Sequence, residues 1–183
     1  TKRLRFGLGH SGGSNAVKLI SFTPDGQRRF IVGRKATAVL KPGDHVLMGD
    51  DVYGGTHRLV RRIFGEWGIG LTTIDLGDLD AVRSALESLA PTVLWLETPS
   101  NPLMKITDVT ALAEIAHAAG VLVVVDNTFA TPYLQTPLAL GADVVVHSTT
   151  KYPGGHSDVV GGALVLNDDE LASRVGFQQF AAG

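Results

Sequence analysis

The chain contains no cysteine among its 183 residues, and this absence excludes several kinds of chemistry together. Disulfide bonds, thiol nucleophiles and thiolate metal sites all need that side chain. Long apolar runs are lacking too, since none approaches the roughly 20 residues of a membrane-spanning helix. The first residues, TKRLRFGLGHSGG, lack the apolar core of a signal peptide. We therefore expect a cytoplasmic protein without a membrane partner.

Acidic residues are nearly absent from residues 1–35, where eight lysines and arginines stand against the single Asp25. A basic arm of this kind can bind nucleic acid. Here, however, aromatic residues are not interleaved with the bases and no nucleic-acid motif is present, so we expect no nucleic-acid partner. The six histidines show no ligand spacing such as HExxH, and no metal site is expected.

Strand and helix patterns alternate from about residue 40 onward. Strands are predicted at HVLM (45–48), LTTIDL (71–76), TVLWLE (92–97), VLVVVD (121–126), ADVVVHS (142–148) and GALVL (162–166). Helices are predicted at 57–67, 78–90, 107–120 and, as one short helix, 133–140. Continuous apolar strands between helices indicate an α/β fold, a mostly parallel sheet with helices on both faces.

The helix patterns also predict buried faces and ends. Leu59, Ile63 and Trp67 are four residues apart, as on one face of a helix. The second helix has a stripe of Leu79, Val82, Leu86 and Leu89, with Asp78 as its N-cap. Thr107 is the predicted N-cap of the third helix, and Gly120 is its predicted stop.

Polar residues follow the predicted strands, and ligands of such sheets bind outside the carboxyl ends of the strands. The candidates are Asp50, Asp51, Tyr53, Glu97, Asn101, Asp126, Asn127, Thr128, Ser148, Thr150 and Lys151. A lysine, a carboxylate, hydroxyls and a tyrosine in one crevice suit pyridoxal phosphate, which uses a Schiff-base lysine and an acid partner for its ring nitrogen. Glycines 154, 155, 161 and 162 are expected to permit tight turns and close backbone approach near the lysine.

Three blocks carry a resemblance to a known family: KPGDHVLMGDDVYGGTHRL, LETPSNPLMKITD, and VVVDNTFATPYLQTPLALGADVVVHSTTKYPGGHSDVVGGALV. From about Ala36 to its end, the chain resembles the cystathionine γ-lyase and γ-synthase family of fold-type-I pyridoxal phosphate enzymes. The resemblance implies elimination or γ-replacement at cystathionine or an activated homoserine. It also implies a small amino-acid substrate and a homo-oligomer, which is a tetramer in the family.

The resemblance further implies roles for single residues. Lys151 would be the catalytic Schiff-base lysine, and Asp126 would pair with the pyridinium nitrogen. Tyr53 would stack on the cofactor ring and assist protonation of the leaving group.

Four further residues would complete the cofactor site. Ser148 and Thr150 would bind the phosphate through their hydroxyl groups, although they could also simply close a turn. Asn101 would lie near the phenolic oxygen of the cofactor, with Glu97 beside it, although SNP is also common turn chemistry.

The resemblance does not extend to residues 1–35, which lack the YSRTGNPT-like and SSGM-like motifs of the family. We therefore expect two parts: an atypical basic segment at 1–35, and a cofactor-binding large domain at 36–183 without the family's small C-terminal domain. Impaired activity is expected for such a chain. Two alternatives stay open: a non-catalytic remnant of the fold, and a dinucleotide-binding module at Gly7, Gly9 and Gly12. The sequence does not distinguish lyase from synthase or sulfhydrylase.

Overall fold

A computed structural model of the protein describes residues 39–182, with side chains described as far as Phe177. The candidate glycines Gly7, Gly9 and Gly12, and the basic segment at 1–35, lie outside this range. Within residues 39–182, no helix combines the length and the apolar character needed to cross a membrane.

The centre of the structure is a six-stranded sheet with the order β2-β1-β3-β4-β5-β6. The first five strands are parallel to their neighbours, whereas β6 pairs antiparallel with β5 at one edge. The mostly parallel sheet predicted from the apolar runs is therefore confirmed. The strands are β1 His45–Gly49, β2 Gly70–Ile74, β3 Val93–Glu97, β4 Leu122–Asp126, β5 Val144–Ser148 and β6 Gly162–Val165.

Helices cover both faces of this sheet, as predicted. They are α1 Gly54–Arg58, continued by a π-helical turn Leu59–Phe64, then α2 Leu79–Leu89, α3 Val109–Ala118, α4 Thr131–Leu134 and α5 Asp169–Ala182. A 3₁₀ turn at Pro137–Leu140 follows α4. The α5 helix was not among the elements predicted from the sequence.

Successive strand residues point to opposite faces of the sheet, and this alternation divides the core into two hydrophobic clusters. The first, the α1 face, combines Trp95, Val124 and Val146 of the sheet with Val60 and Phe64 beyond α1. The second, the α2–α3 face, contains the intervening strand residues and the helix residues that cover them: Leu47, Leu94, Leu96, Val123, Val125, Val82, Leu86, Leu112 and Ala116.

The prediction that Leu59, Ile63 and Trp67 form the buried face of the first helix is wrong. Val60 and Phe64 are the buried residues, whereas Leu59 and Ile63 are half-buried and Trp67 is 53% exposed. Both sets share a four-residue spacing, so the spacing alone does not say which one faces the sheet. The π-helical turn also rotates the side chains relative to a regular α-helix.

Two of the three predicted helix ends are confirmed. The Ala81 N–H donates to Asp78 Oδ1 at 3.0 Å, so Asp78 caps α2, and Gly120 ends α3 with a φ of +71°. The N-cap of α3 is Asp108, however, whose Oδ1 accepts from the Ala111 N–H at 3.0 Å. Thr107 lies one residue before this cap; its N–H donates to Thr98 Oγ1 at 3.1 Å, and its hydroxyl oxygen is buried without a hydrogen-bond partner in the described structure.

The single short helix predicted at 133–140 is in fact two elements. The α4 helix ends at Leu134, and Gln135 is extended, with φ −145° and ψ 136°. Two contacts of Gln135 with Asn127 accompany the break: the Gln135 Nε2 donates to Asn127 Oδ1 at 2.9 Å, and the Gln135 backbone carbonyl accepts from Asn127 Nδ2 at 2.9 Å. These two hydrogen bonds satisfy the fully buried Asn127 at the cost of helix continuity.

Candidate functional site

The register of the sheet brings three of the predicted site residues to one face and one edge. Glu97 pairs with Asp126 across β3 and β4, and both residues end their strands. Ser148 ends β5, two residues beyond Val146, the register partner of Asp126. Because side chains alternate along a strand, Glu97, Asp126 and Ser148 all lie on the α1 face, at the carboxyl edge.

The carboxyl of Asp126 lies in a site from which most water is excluded. Its Oδ1 accepts a hydrogen bond from the Thr128 N–H at 3.0 Å. Burial raises the pKa of this carboxyl, and the hydrogen bonds from Thr128 only partly oppose that rise. Within the described residues, no lysine, arginine or histidine forms an ion pair with it. A buried carboxylate of this kind is stabilised by a cationic or proton-bearing partner.

Glu97 is a second buried carboxyl, with only 7% of the residue exposed. Its Oε2 accepts a hydrogen bond from the Tyr53 N–H at 2.8 Å. Burial raises its pKa to about 7, and the negative charges of Asp126 and Asp51 add to the rise. Hydrogen bonds from the backbone N–H groups of Tyr53 and Asn101 oppose it.

Tyr53 lies just before α1, with its ring 56% exposed at the mouth of the site. The ring lies over Gly55, where an added methyl group would overlap it. The loop that carries Tyr53 is joined to the loop after β3 by Asp51, whose Oδ2 accepts from Ser100 Oγ and, at 2.9 Å, from the Leu103 N–H.

Lys151 stands in the turn that follows β5, and its side chain is exposed to solvent. The turn is held by its backbone, because the Lys151 N–H donates to the Ser148 carbonyl at 3.2 Å and its carbonyl accepts from the Gly155 N–H at 2.8 Å. A Cβ at Gly154 would lie 2.6 Å from the Thr149 carbonyl oxygen, and Gly155 has a φ of +74°. The expected role of glycine in this turn is therefore confirmed at these two positions.

The two candidate phosphate ligands differ in what their hydroxyl groups do. The hydroxyl of Thr150 closes a turn, since it accepts from the Gly161 N–H at 3.0 Å and donates to the Gly161 carbonyl at 3.3 Å. The backbone N–H of Ser148 donates to Thr128 Oγ1 at 2.8 Å. Among the described residues, no hydrogen-bond partner engages the Ser148 hydroxyl, which leaves it available to a ligand.

Sequence reasoning missed the polar contacts that join the loops of the site. Ser100 contacts Asp51, as described above, and the Lys105 ammonium bridges Asp50 at 2.8 Å and Asp75 at 3.3 Å. These pairs lie 30 to 55 positions apart in the chain. No local spacing signals such contacts, although Asp50 and Asp51 follow a predicted strand.

The groups present at this edge suit pyridoxal phosphate by their chemistry. A buried carboxyl without a cation matches a protonated ring nitrogen, and the exposed primary amine of Lys151 matches an aldehyde. The Ser148 hydroxyl and the accessible Tyr53 ring add a donor and an aromatic face. Within the described part of the chain, no group of three or more histidines and acids could hold a metal ion.

Comparison with known proteins agrees with this chemistry. A cystathionine gamma-synthase of Mycobacterium leprae is 58% identical over 145 residues, which cover 79% of this chain and 37% of that protein. A cystathionine beta-lyase of Lactococcus lactis is 49% identical over 146 residues, which cover 80% of this chain and 38% of that protein. Among solved structures, a cystathionine gamma synthase of Xanthomonas oryzae in complex with cystathionine superimposes with a TM-score of 0.81. It is 44% identical, and the match covers 89% of this chain and 41% of that one.

The chain thus spans about two fifths of the length of the relatives it matches. A family model described as Cys/Met metabolism PLP-dependent enzyme matches residues 32–183, which is most of the sequence. The resemblance inferred from the three sequence blocks is therefore confirmed, and the chain belongs to the Cys/Met metabolism family of pyridoxal phosphate-dependent enzymes.

Proposed function

We propose that this chain forms the cofactor-binding part of a transsulfuration enzyme, which carries out elimination or γ-replacement at cystathionine or an activated homoserine. The observation that carries the proposal is the buried carboxyl of Asp126, which has no cation in the described structure. It lies at the same edge of the sheet as the turn that carries Lys151. Relatives named as synthases and lyases support this reaction class, but they do not discriminate between its members.

Asp126 is the group that would hold a proton on the ring nitrogen of the cofactor. Pyridoxal phosphate, when bound, supplies an electron sink for negative charge that develops on the substrate. The Asp126 carboxylate, in its low-dielectric site, interacts more strongly with such a proton than it would in water. The Thr128 N–H also orients the carboxyl, because it donates to one of its oxygens.

Lys151 is the amine that would attach to the cofactor and then move protons between substrate atoms. An amine does this only when it is unprotonated for part of the time, which a nearby cation or exclusion of water favours. The turn around Gly154 and Gly155 holds its backbone close to the end of β5. Ser148 would bind the phosphate through its free hydroxyl, and Thr150 would shape the turn as well as face the phosphate.

The experiment that tests this proposal is trapping of the cofactor on the purified chain. Pyridoxal phosphate is added, borohydride reduces the link to the amine, and mass spectrometry locates the modified lysine. We expect the label at Lys151 and its loss in Lys151→Ala. Lys105→Ala is the matched control, since Lys105 also lies in a loop at this edge. A label that survives in Lys151→Ala would contradict the assignment.

The same experiment separates the enzyme from a non-catalytic remnant of the fold. A chain that unfolds cooperatively in urea but traps no cofactor at any lysine would be such a remnant. Elimination of cystathionine, followed by the release of a keto acid, would then test the reaction itself in a chain that traps the cofactor.

We also propose that the protein works as a homo-oligomer, in the cytoplasm. Large apolar side chains are exposed on α4 and on the loop before α3, with Tyr133 at 92%, Leu134 at 76% and Ile106 at 72% exposure. Apolar surface of this kind supports contact with another polypeptide. Light scattering coupled to size-exclusion chromatography would measure the assembly, and a monomer at all concentrations would contradict it.

A further inference from the structure

The Glu97 carboxyl lies between two loops of the site and binds the backbone of one of them. Its Oε2 accepts from the Tyr53 N–H in the loop after β1. The Asn101 N–H, in the loop after β3, lowers the pKa of the same carboxyl and so lies close to it. Both donors belong to residues that the family resemblance places against the cofactor. One buried side chain thus lies between the two loops that carry Tyr53 and Asn101.

Packing alone does not explain why a carboxyl occupies this position. Glu97 is buried, faces the negative charges of Asp126 and Asp51, and has no ion-pair partner within the described residues. A buried carboxyl without a cation destabilises a fold relative to an apolar side chain of similar size. What the carboxyl provides and an apolar side chain cannot is an acceptor for those backbone N–H groups.

The other contacts that join the two loops do not involve Tyr53. Asp51 contacts Ser100 and Leu103, and Asp50 pairs with Lys105. In the described structure, Glu97 is the side chain that binds the Tyr53 backbone itself, and the Tyr53 carbonyl accepts from the N–H groups of Thr56 and His57. Tyr53 is thereby held on both sides of its Cα atom, which limits where its ring can point.

We propose that Glu97 is a positioning residue, which fixes the Tyr53 ring and the Asn101 loop for the cofactor through their backbone N–H groups, without touching the cofactor. This inference rests on the proposed function, since it assumes that pyridoxal phosphate binds at this edge. It assigns Glu97 a different task from direct contact with the cofactor, because its Oε2 already accepts from the Tyr53 backbone.

The test compares two replacements of Glu97 by their affinity for pyridoxal phosphate, measured by absorbance titration. Glu97→Gln keeps a carbonyl oxygen for the Tyr53 N–H, and we expect its dissociation constant to stay within about twofold of wild type. Glu97→Met has a similar shape but no acceptor. Because one lost hydrogen bond is worth about 1 kcal/mol, we expect its affinity to fall about five- to tenfold.

A double-mutant cycle with Tyr53→Ala shows whether Glu97 acts through the tyrosine. If it does, Glu97→Met weakens binding much less in the Tyr53→Ala background than in wild type. An equal loss in both backgrounds would contradict the proposal, because Glu97 would then act on the cofactor directly or on the whole fold. Equal affinity of Glu97→Met and wild type would contradict it as well.

A measurement on the wild type keeps the proposal testable even if Glu97→Met fails to fold. The chain has three tyrosines, so ¹⁵N-tyrosine labelling yields three backbone amide signals. We expect the Tyr53 amide to exchange its hydrogen slowly without cofactor, and the Tyr152 amide, which has no hydrogen-bond partner among the described residues, to exchange fast. Equal exchange rates for the two amides would overturn the proposal.

Failure of the proposed function gives a different result from failure of this inference. If wild type traps no cofactor at Lys151, the cofactor site itself is wrong. If wild type traps the cofactor at Lys151 but the Glu97 variants follow the contradicting patterns above, only the positioning role is wrong.

Discussion

Replacing Glu97 by glutamine should make the protein more stable at neutral and higher pH. The folded chain raises the pKa of this carboxyl from an ordinary 4.5 to about 7, mainly through burial. In the unfolded chain the pKa returns to its ordinary value because water again reaches the group. Glutamine keeps the shape and an acceptor for the Tyr53 N–H but carries no ionisable group.

The direction of the effect follows from proton binding. Between pH 4.5 and about 7, the folded state holds a proton on Glu97 that the unfolded state has released. Wild-type stability therefore falls as the pH rises through this window, and the loss is complete above it. The difference between the two pKa values, at about 1.36 kcal/mol per unit, corresponds to at most about 3 kcal/mol. The repulsion that Asp126 and Asp51 exert on the charged Glu97 is part of this loss, and glutamine escapes it because it carries no charge.

Urea unfolding followed by circular dichroism measures this difference from below pH 4.5 to above pH 7. We expect Glu97→Gln and wild type to be nearly equal at the acidic end and to differ by about 2–3 kcal/mol at the basic end. Glu114→Gln, on the exposed side of α3, is the control for changing a carboxylate to an amide. A difference for Glu97→Gln that stays constant with pH, or that favours wild type as the pH rises, would refute the reasoning.

Three further changes test the packing and the turns by urea unfolding. Leu47→Ala empties a fully buried place in the α2–α3 face and should cost about 2–5 kcal/mol, so a loss below about 1 kcal/mol would contradict the packing. Asp108→Ala should cost about 1 kcal/mol as a lost cap, whereas Thr107→Val should change stability by less than about 0.5 kcal/mol; the reverse order would contradict the cap assignment. Gly154→Ala places a Cβ 2.6 Å from a carbonyl oxygen, so it should cost about 1–3 kcal/mol of stability and lower cofactor trapping. Gly176→Ala, in open space on α5, should do neither, and equal effects of the two changes would contradict the crowded turn.

Local patterns in the sequence predicted much of the fold because the strands and helices are formed by neighbouring residues. The continuous run VLVVVD predicts a strand that is buried on both faces, and β4 is one. Asp78 was identified as a cap because its side chain reaches an N–H three residues ahead, within its own turn. The expected location of the site at the carboxyl edge follows from parallel strand direction alone.

Predictions failed where a contact distant in sequence decided the outcome. Thr107 was predicted as the cap of α3, but its N–H donates to Thr98, nine residues earlier, and the next residue, Asp108, caps the helix. Val60 and Phe64 replaced Leu59, Ile63 and Trp67 as the buried face of the first helix because the sheet, not the helix, determines which side is covered. The roles of Lys151, Asp126, Ser148, Thr150, Tyr53, Asn101 and Glu97 toward a cofactor stay predictions.

The sequence by itself determined the order of the strands and of the first three helices, the family to which the chain belongs and the edge at which its polar residues meet. Each of these depends on short-range periodicity or on blocks of adjacent residues. Only the tertiary structure decided that Glu97 and Asp126 are register partners, and that the Glu97 carboxyl accepts from the backbone of Tyr53, 44 residues earlier. Burial and register arise when segments tens of residues apart pack together, so the raised pKa of Glu97 cannot be read from its neighbours in the chain.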